Sequence, residues 1–154
     1  MHTRIEFATS QAEDELQELF TAYGMSMAGD VDEHIVVKQD NKIVAGAMVA
    51  QLDNSLYHIL LFAVRMDARS QGVGSRLMQA MLRNPGRYCQ PPGESSDASY
   101  QVTTVARGTA VPFYEQNGFI ACDFSELAYP FDTQCTGCSD KNRCNPVAMM
   151  FARS

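Results

Sequence analysis

The 154-residue sequence has no run near the ~18 consecutive apolar residues that a membrane-crossing helix needs. Met1 to Thr9 lack the basic-then-apolar layout of a signal peptide. Both absences predict a chain with no membrane partner and a cytoplasmic location. Positive charge is also short, with 12 Lys and Arg against 18 Asp and Glu and a formal net charge of -6. That sign is wrong for gripping a phosphate backbone, so a general nucleic-acid binder is excluded; cationic small molecules or basic peptides suit the surface better. Internal repeats, low-complexity tracts and charged linkers are missing too. One domain over residues 1–154 is therefore expected, long enough to bury roughly two-thirds of its unfolded surface.

What is present reads as alternating strands and helices. Ile5 and Phe7 alternate with Arg4 and Glu6, the period of a short strand. Ser10-Gln11-Ala12-Glu13 has the form of a capping box, and Leu16, Leu19, Phe20 and Tyr23 recur at helical spacing until Gly24. The runs Ile35-Val36-Val37 and Ile43 to Val49 flank Asp40-Asn41, which predicts a hairpin. Leu56 to Val64 is almost continuously apolar, as in a central strand covered on both faces. Leu77, Met78, Met81 and Leu82 form the next helical stripe, and the nine methionines read as core filler. Asn84 to Ser99 holds three of the six prolines and predicts a long loop. A strand over Gln101 to Ala106, a short helix from Thr109 to Asn117, a strand from Phe119 to Phe124 and a closing strand from Val147 to Ala152 complete the chain.

Between the central strand and its helix lies Arg69-Ser70-Gln71-Gly72-Val73-Gly74-Ser75. A loop that opens a helix presents unpaired N–H groups at the positive end of the helix dipole, and glycines let a diphosphate come close to them. The alternative is a plain strand-to-helix turn. A nucleotide-triphosphate loop is ruled out because Gly74 is followed by Ser75-Arg76, and the dinucleotide fingerprint fails because position 77 is Leu.

Arg69, Gly72 and Gly74 within Ala63 to Gly74 resemble the R/Q-x-x-G-x-G/A acetyl-CoA loop of the GCN5-related N-acetyltransferase (GNAT) family. Ala110-Val111-Pro112-Phe113-Tyr114-Glu115-Gln116-Asn117-Gly118-Phe119 is similar to the family's A-x-x-F/L-Y-E-x-x-G-F segment. The likeness extends from Ile5 to Phe124. It implies a mixed α/β (α+β) fold, a mostly antiparallel sheet flanked by helices in the order β-α-β-β-β-α-β-α-β-β. It also implies acetyl-CoA as cosubstrate and an amine acceptor, either a small molecule or a peptide or protein, that attacks the thioester directly. On this resemblance Phe62, Ala63 and Val64 hold the pantetheine arm, and Arg69, Ser70, Gln71, Gly72, Val73, Gly74 and Ser75 hold the diphosphate. Tyr114 is the general acid. Arg107 stands where the family often has Asn, at a pantetheine contact. The family's strand carboxylate has no counterpart, which leaves His58 or ordered water as the base. A homodimer is a further implication.

The C-terminal segment 130–154 departs from the family. Cys135-Thr136-Gly137-Cys138 and Cys144 carry C-x2-C spacing suited to a metal ligand set, with Cys89 or Cys122 as a fourth donor. A Zn or iron–sulfur centre, an oxidised pair and plain thiols all remain open. So does a second class of function, an acyl-CoA-sensing regulatory module without turnover whose cysteine tail responds to redox state or metal.

Overall fold

The computed structural model describes residues 3–93, 99–139 and 141–153. Its strands are β1 (Thr3–Phe7), β2 (Ile35–Gln39), β3 (Lys42–Asp53), β4 (Leu56–Val64), β5 (Tyr100–Ala106), β6 (Ile120–Cys122) and β7 (Val147–Arg153). Its helices are α1 (Glu13–Ala22), α2 (Val73–Arg83), α3 (Val111–Gln116) and the single turn α4 (Lys141–Cys144). The strands form one sheet in the order β1-β2-β3-β4-β5-β7-β6, and the pairs β1·β2, β2·β3, β5·β7 and β6·β7 are antiparallel. The expected element order is reproduced, with α4 and several 3₁₀ turns added. The final strand does not close an edge: β7 runs between β5 and β6. The chain divides into two compact units, Met1–Ala50 with Ile59–Ser95 and Gln51–His58 with Ser96–Ser154.

In the first unit α1 buries Leu16, Leu19 and Phe20 in a cluster with Val36, Ile43, Met48, Leu61 and Ala63. The helical spacing of these α1 residues points one stripe at the core. Gly46 lets the helix approach β3: a Cβ there would lie 2.6 Å from Leu16 Cδ1 and 3.2 Å from Phe20 Cζ. The turn between β2 and β3 places Asp40 at φ 51 and Asn41 at φ 68 and pairs Gln39 with Lys42. These left-handed residues match the strand twist of a two-residue hairpin. The capping box at Ser10 is not formed. Ser10 instead lies inside a 3₁₀ turn, Ser10–Ala12, and α1 begins at Glu13 without a side-chain cap. Glu13, Asp14 and Glu15 in the first turn complement the helix dipole, and Glu15 Oε2 also accepts the Ile43 N–H at 2.8 Å. The Pro-rich stretch opens with a 3₁₀ turn, Pro85–Tyr88, and buries Cys89; its residues 94–98 lie outside the described residues.

In the second unit the buried rings of Tyr57 and Tyr100 meet edge to face at 6.1 Å. Helix α3 starts with Pro112 in its first turn, where the missing N–H costs nothing. Beyond its last residue, Gln116, the chain turns away at Gly118, whose φ of +95 suits glycine.

Candidate active site

The first unit builds the candidate coenzyme loop. Where β4 ends, the Arg65 N–H donates to Val44 O at 2.8 Å, and the chain enters a 3₁₀ turn, Met66–Gln71. Gly72 follows at φ 74, ψ 15, and α2 begins at Val73. The first intrahelical bond runs from the Arg76 N–H to Gly72 O at 3.1 Å. The N-cap residue of α2, Gly72, has no side chain to cap the helix, and the first turn contains no acid. The N–H groups of Val73, Gly74 and Ser75 are thus the first-turn donors, at the positive end of an 11-residue helix. Val73 and Gly74 are buried and anchor this end to the core, whereas Gln71, Gly72 and Ser75 are exposed. A Cβ on Gly72 would meet nothing within 4 Å. Glycine is therefore needed here for its backbone angle, and the space in front of it is open to a ligand. Leading into the loop, Ala63 and Val64 are buried and Phe62 half-buried. Arg69 donates from Nε to Val64 O at 3.1 Å, and its guanidinium lies 4.8 Å from the centroid of the Tyr23 ring.

Also within the first unit, a cavity of about 760 Å³ lies beside α1, lined by Glu13, Gln17, Thr21, Asp30 and Asp32 among others. Gln90 of the Pro-rich stretch holds its rim by donating to Asp32 O at 3.0 Å.

The second unit holds Tyr114 and His58. Tyr114 is 6% exposed on α3, its ring edge-on to Phe113 and Phe119 at 5.5 and 5.2 Å. Burial pushes its hydroxyl up to about 12, against the opposing effect of a hydrogen bond with the Thr104 side chain. The phenol keeps its proton at any physiological pH. His58 is 1% exposed and stacks on Phe131 at 3.8 Å. Thr103 Oγ1 donates to Tyr57 O at 3.3 Å, so the Nδ1–H of His58 donates to Thr103 Oγ1 at 2.8 Å. Burial lowers the imidazole to about 4. The ring is therefore neutral near pH 7, and any base function falls to Nε2. Arg107 is exposed at the end of β5, where its carbonyl accepts the Ala110 N–H at 2.8 Å.

Among the described residues no group of three or more His, Cys, Asp or Glu side chains could hold a metal ion, so the ligand set expected from Cys135, Cys138 and Cys144 is not assembled. The C-x2-C turn closes through its backbone, with the Cys138 N–H on Cys135 O at 3.2 Å and Gly137 at φ +77, while Cys144 lies on α4. Burial, followed by the neighbouring Cys138 and Cys144, raises the Cys135 thiol, and Lys141 opposes the shift. All five cysteines are free.

A family model for the acetyltransferase (GNAT) domain matches residues 30–121, a stretch that includes the glycine loop and Tyr114. The chain belongs to the GNAT family. This places it among the acyltransferase enzymes. No curated protein matches the GNAT chain. Among solved structures, N-acetylglutamate synthase from Neisseria gonorrhoeae, complexed with coenzyme A and N-acetyl-glutamate, superposes with a TM-score of 0.73 at 16% identity. That match covers 100% of this chain and 36% of the synthase, so the GNAT chain spans about a third of that relative's length. Ard1 from Thermoplasma volcanium gives 0.68 at 16% identity, covering 100% of this chain and 99% of its own. Rv2747 from Mycobacterium tuberculosis, in complex with CoA and NLQ, gives 0.69 at 15% identity with 98% and 99% covered. At these identities the likeness establishes the GNAT fold. Among the described residues no helix is long and apolar enough to cross a membrane.

Four residues that touch the candidate residues within each unit escaped the sequence reading. Thr103, Thr104 and Phe131 touch His58 or Tyr114, and Tyr23 touches the glycine loop. None sits in a motif; only the tertiary contact reveals them.

Proposed function

We propose that this GNAT chain transfers the acetyl group of acetyl-CoA to a primary amine by direct attack. The observation that carries this reading is the uncapped start of α2 behind the left-handed, unobstructed Gly72. The donors of Val73 to Ser75 would take the coenzyme's diphosphate, with Arg69 and Gln71 beside it and the β4 backbone at Phe62 to Val64 along the pantetheine arm. The neutral amine attacks the carbonyl carbon, the C–N bond forms, the C–S bond breaks, and the amine's proton balances the one gained by sulfur. A phenol near 12 is a weaker acid than a thiol. Tyr114 therefore serves the departing sulfur as a hydrogen-bond donor that steadies negative charge as it develops. Water is the favoured proton acceptor for the amine, because a His58 held near 4 is a weak base. The carboxylates lining the cavity beside α1 favour an acceptor that is cationic in solution.

Calorimetry with CoA, followed by thiol release from acetyl-CoA across an amine panel, tests this function. Association and turnover are the expected results. Binding with no turnover would leave a CoA-sensing module, and no association would end the assignment. Tyr114→Phe should slow turnover about a hundredfold with CoA affinity retained; an unchanged rate removes Tyr114 from the chemistry.

A further inference from the structure

We infer that Tyr23 is a positioning residue for the coenzyme loop, holding it from the end of α1 in the shape that receives the diphosphate. The inference rests on the proposed assignment of residues 69–75 to coenzyme binding. Tyr23 follows the last residue of α1 and makes two separate contacts with the 3₁₀ turn that precedes Gly72. Its hydroxyl accepts the N–H of Met66, the first residue of that turn, at 2.8 Å. Opening N–H groups of a helical turn have no partner inside the turn, so the phenol satisfies a donor that otherwise depends on water. The face of its ring carries the Arg69 guanidinium at 4.8 Å, a cation–π arrangement. Arg69 is fixed at a third point by its Nε on Val64 O. One side chain thus braces both the start of the turn and the basic residue next to the cradle. The two contacts join residues 43 and 46 positions apart in sequence.

Exposure shows what the bracing has to overcome. Met66 is 70% exposed, and Asp67 and Arg69 are also exposed, so core packing does little to hold this stretch apart from buried Ala68. Arg65 and Asp67 pair at 3.0 Å, but both are solvated and such pairs hold geometry weakly. Without Tyr23 the turn would sample other shapes before coenzyme binds, and affinity would fall with the fraction that remains competent.

The test is calorimetric titration of CoA into wild type, Tyr23→Phe, Tyr23→Leu, Arg69→Gln and the Tyr23→Leu/Arg69→Gln double variant. Tyr23→Phe loses one neutral hydrogen bond and should weaken CoA about fivefold. Tyr23→Leu loses the ring face as well and should weaken it about twentyfold. Because the ring acts through Arg69, the Tyr23→Leu effect should shrink in the Arg69→Gln background, a non-additivity that general loss of stability does not produce. If wild type fails to bind CoA, the coenzyme assignment falls and this inference with it. If wild type binds and Tyr23→Phe binds equally well, Tyr23 alone loses its role and the coenzyme assignment stands. Should Tyr23→Leu not fold, Tyr23→Phe decides, and additive losses in the cycle would overturn action through Arg69.

Discussion

Lowering the pH from about 7.5 to about 5 should cost the fold about 2 kcal/mol through His58 alone. The imidazole is buried among Phe131, Thr103 and the strand, and its folded value of about 4 lies below the ordinary 6.5. A depressed histidine binds protons more readily in the unfolded chain. Its contribution is therefore fully present above 6.5 and is lost as pH falls through 6.5 towards about 4. Near pH 5 the unfolded imidazole is almost fully charged and the folded one about a tenth charged, which gives the 2 kcal/mol; the limit below both values is about 3 kcal/mol. Urea unfolding of wild type and His58→Gln at both pH values measures the effect. The variant loses the stack and starts less stable, but its drop between the two conditions should be smaller by about 2 kcal/mol. Equal drops in the two proteins would refute the claim that His58 is neutral and dry. On the proposed function, a neutral His58 leaves no limb near 6.5 in the pH–rate profile, and a rise in rate above neutrality would belong to the acceptor amine losing its proton.

Gly46→Ala should lower stability by about 1–2 kcal/mol in urea, because the added methyl meets Leu16 and Phe20 of α1 in a packed core; no loss would mean that α1 yields freely. For Gly72→Ala the left-handed backbone gives a similar loss of about 1–2 kcal/mol with no protein atom in the way. CoA affinity should fall with it, and retained affinity by calorimetry would detach Gly72 from the diphosphate. Alkylation with iodoacetamide near pH 8, read by mass spectrometry, should modify exposed Cys138 early and Cys89 last. The Cys89 thiol is buried, donates to Pro85 O at 3.4 Å and is pushed up to about 11. Only about a thousandth of it is thiolate at that pH, and early labelling of Cys89 would contradict its burial.

The sequence alone determined the order of elements, because hydrophobic period and turn chemistry act over a few residues. Leu16, Leu19 and Phe20 face one side of any helix, Asp40-Asn41 suits a two-residue turn, and Gly72 takes a left-handed angle that other residues resist. The glycine loop and the Tyr114 segment were legible for the same reason, since each lies within a dozen consecutive residues. Tertiary structure decided what depends on distant neighbours. Ser10 had the letters of a cap, yet a 3₁₀ turn absorbed it and moved the helix start to Glu13. Cys135, Cys138 and Cys144 had ligand spacing, yet among the described residues no group of three or more His, Cys, Asp or Glu side chains is gathered around a point that could hold a metal ion. Alternation could place His58 on a strand face but not reveal that Phe131, 73 positions later, would cover it and lower its pKa. Tyr23 gave no signal beyond one more apolar residue at helical spacing, because its partners Met66 and Arg69 come to it only through the fold. Burial and long-range contact belong to the neighbours a residue acquires, and a local pattern carries no record of them.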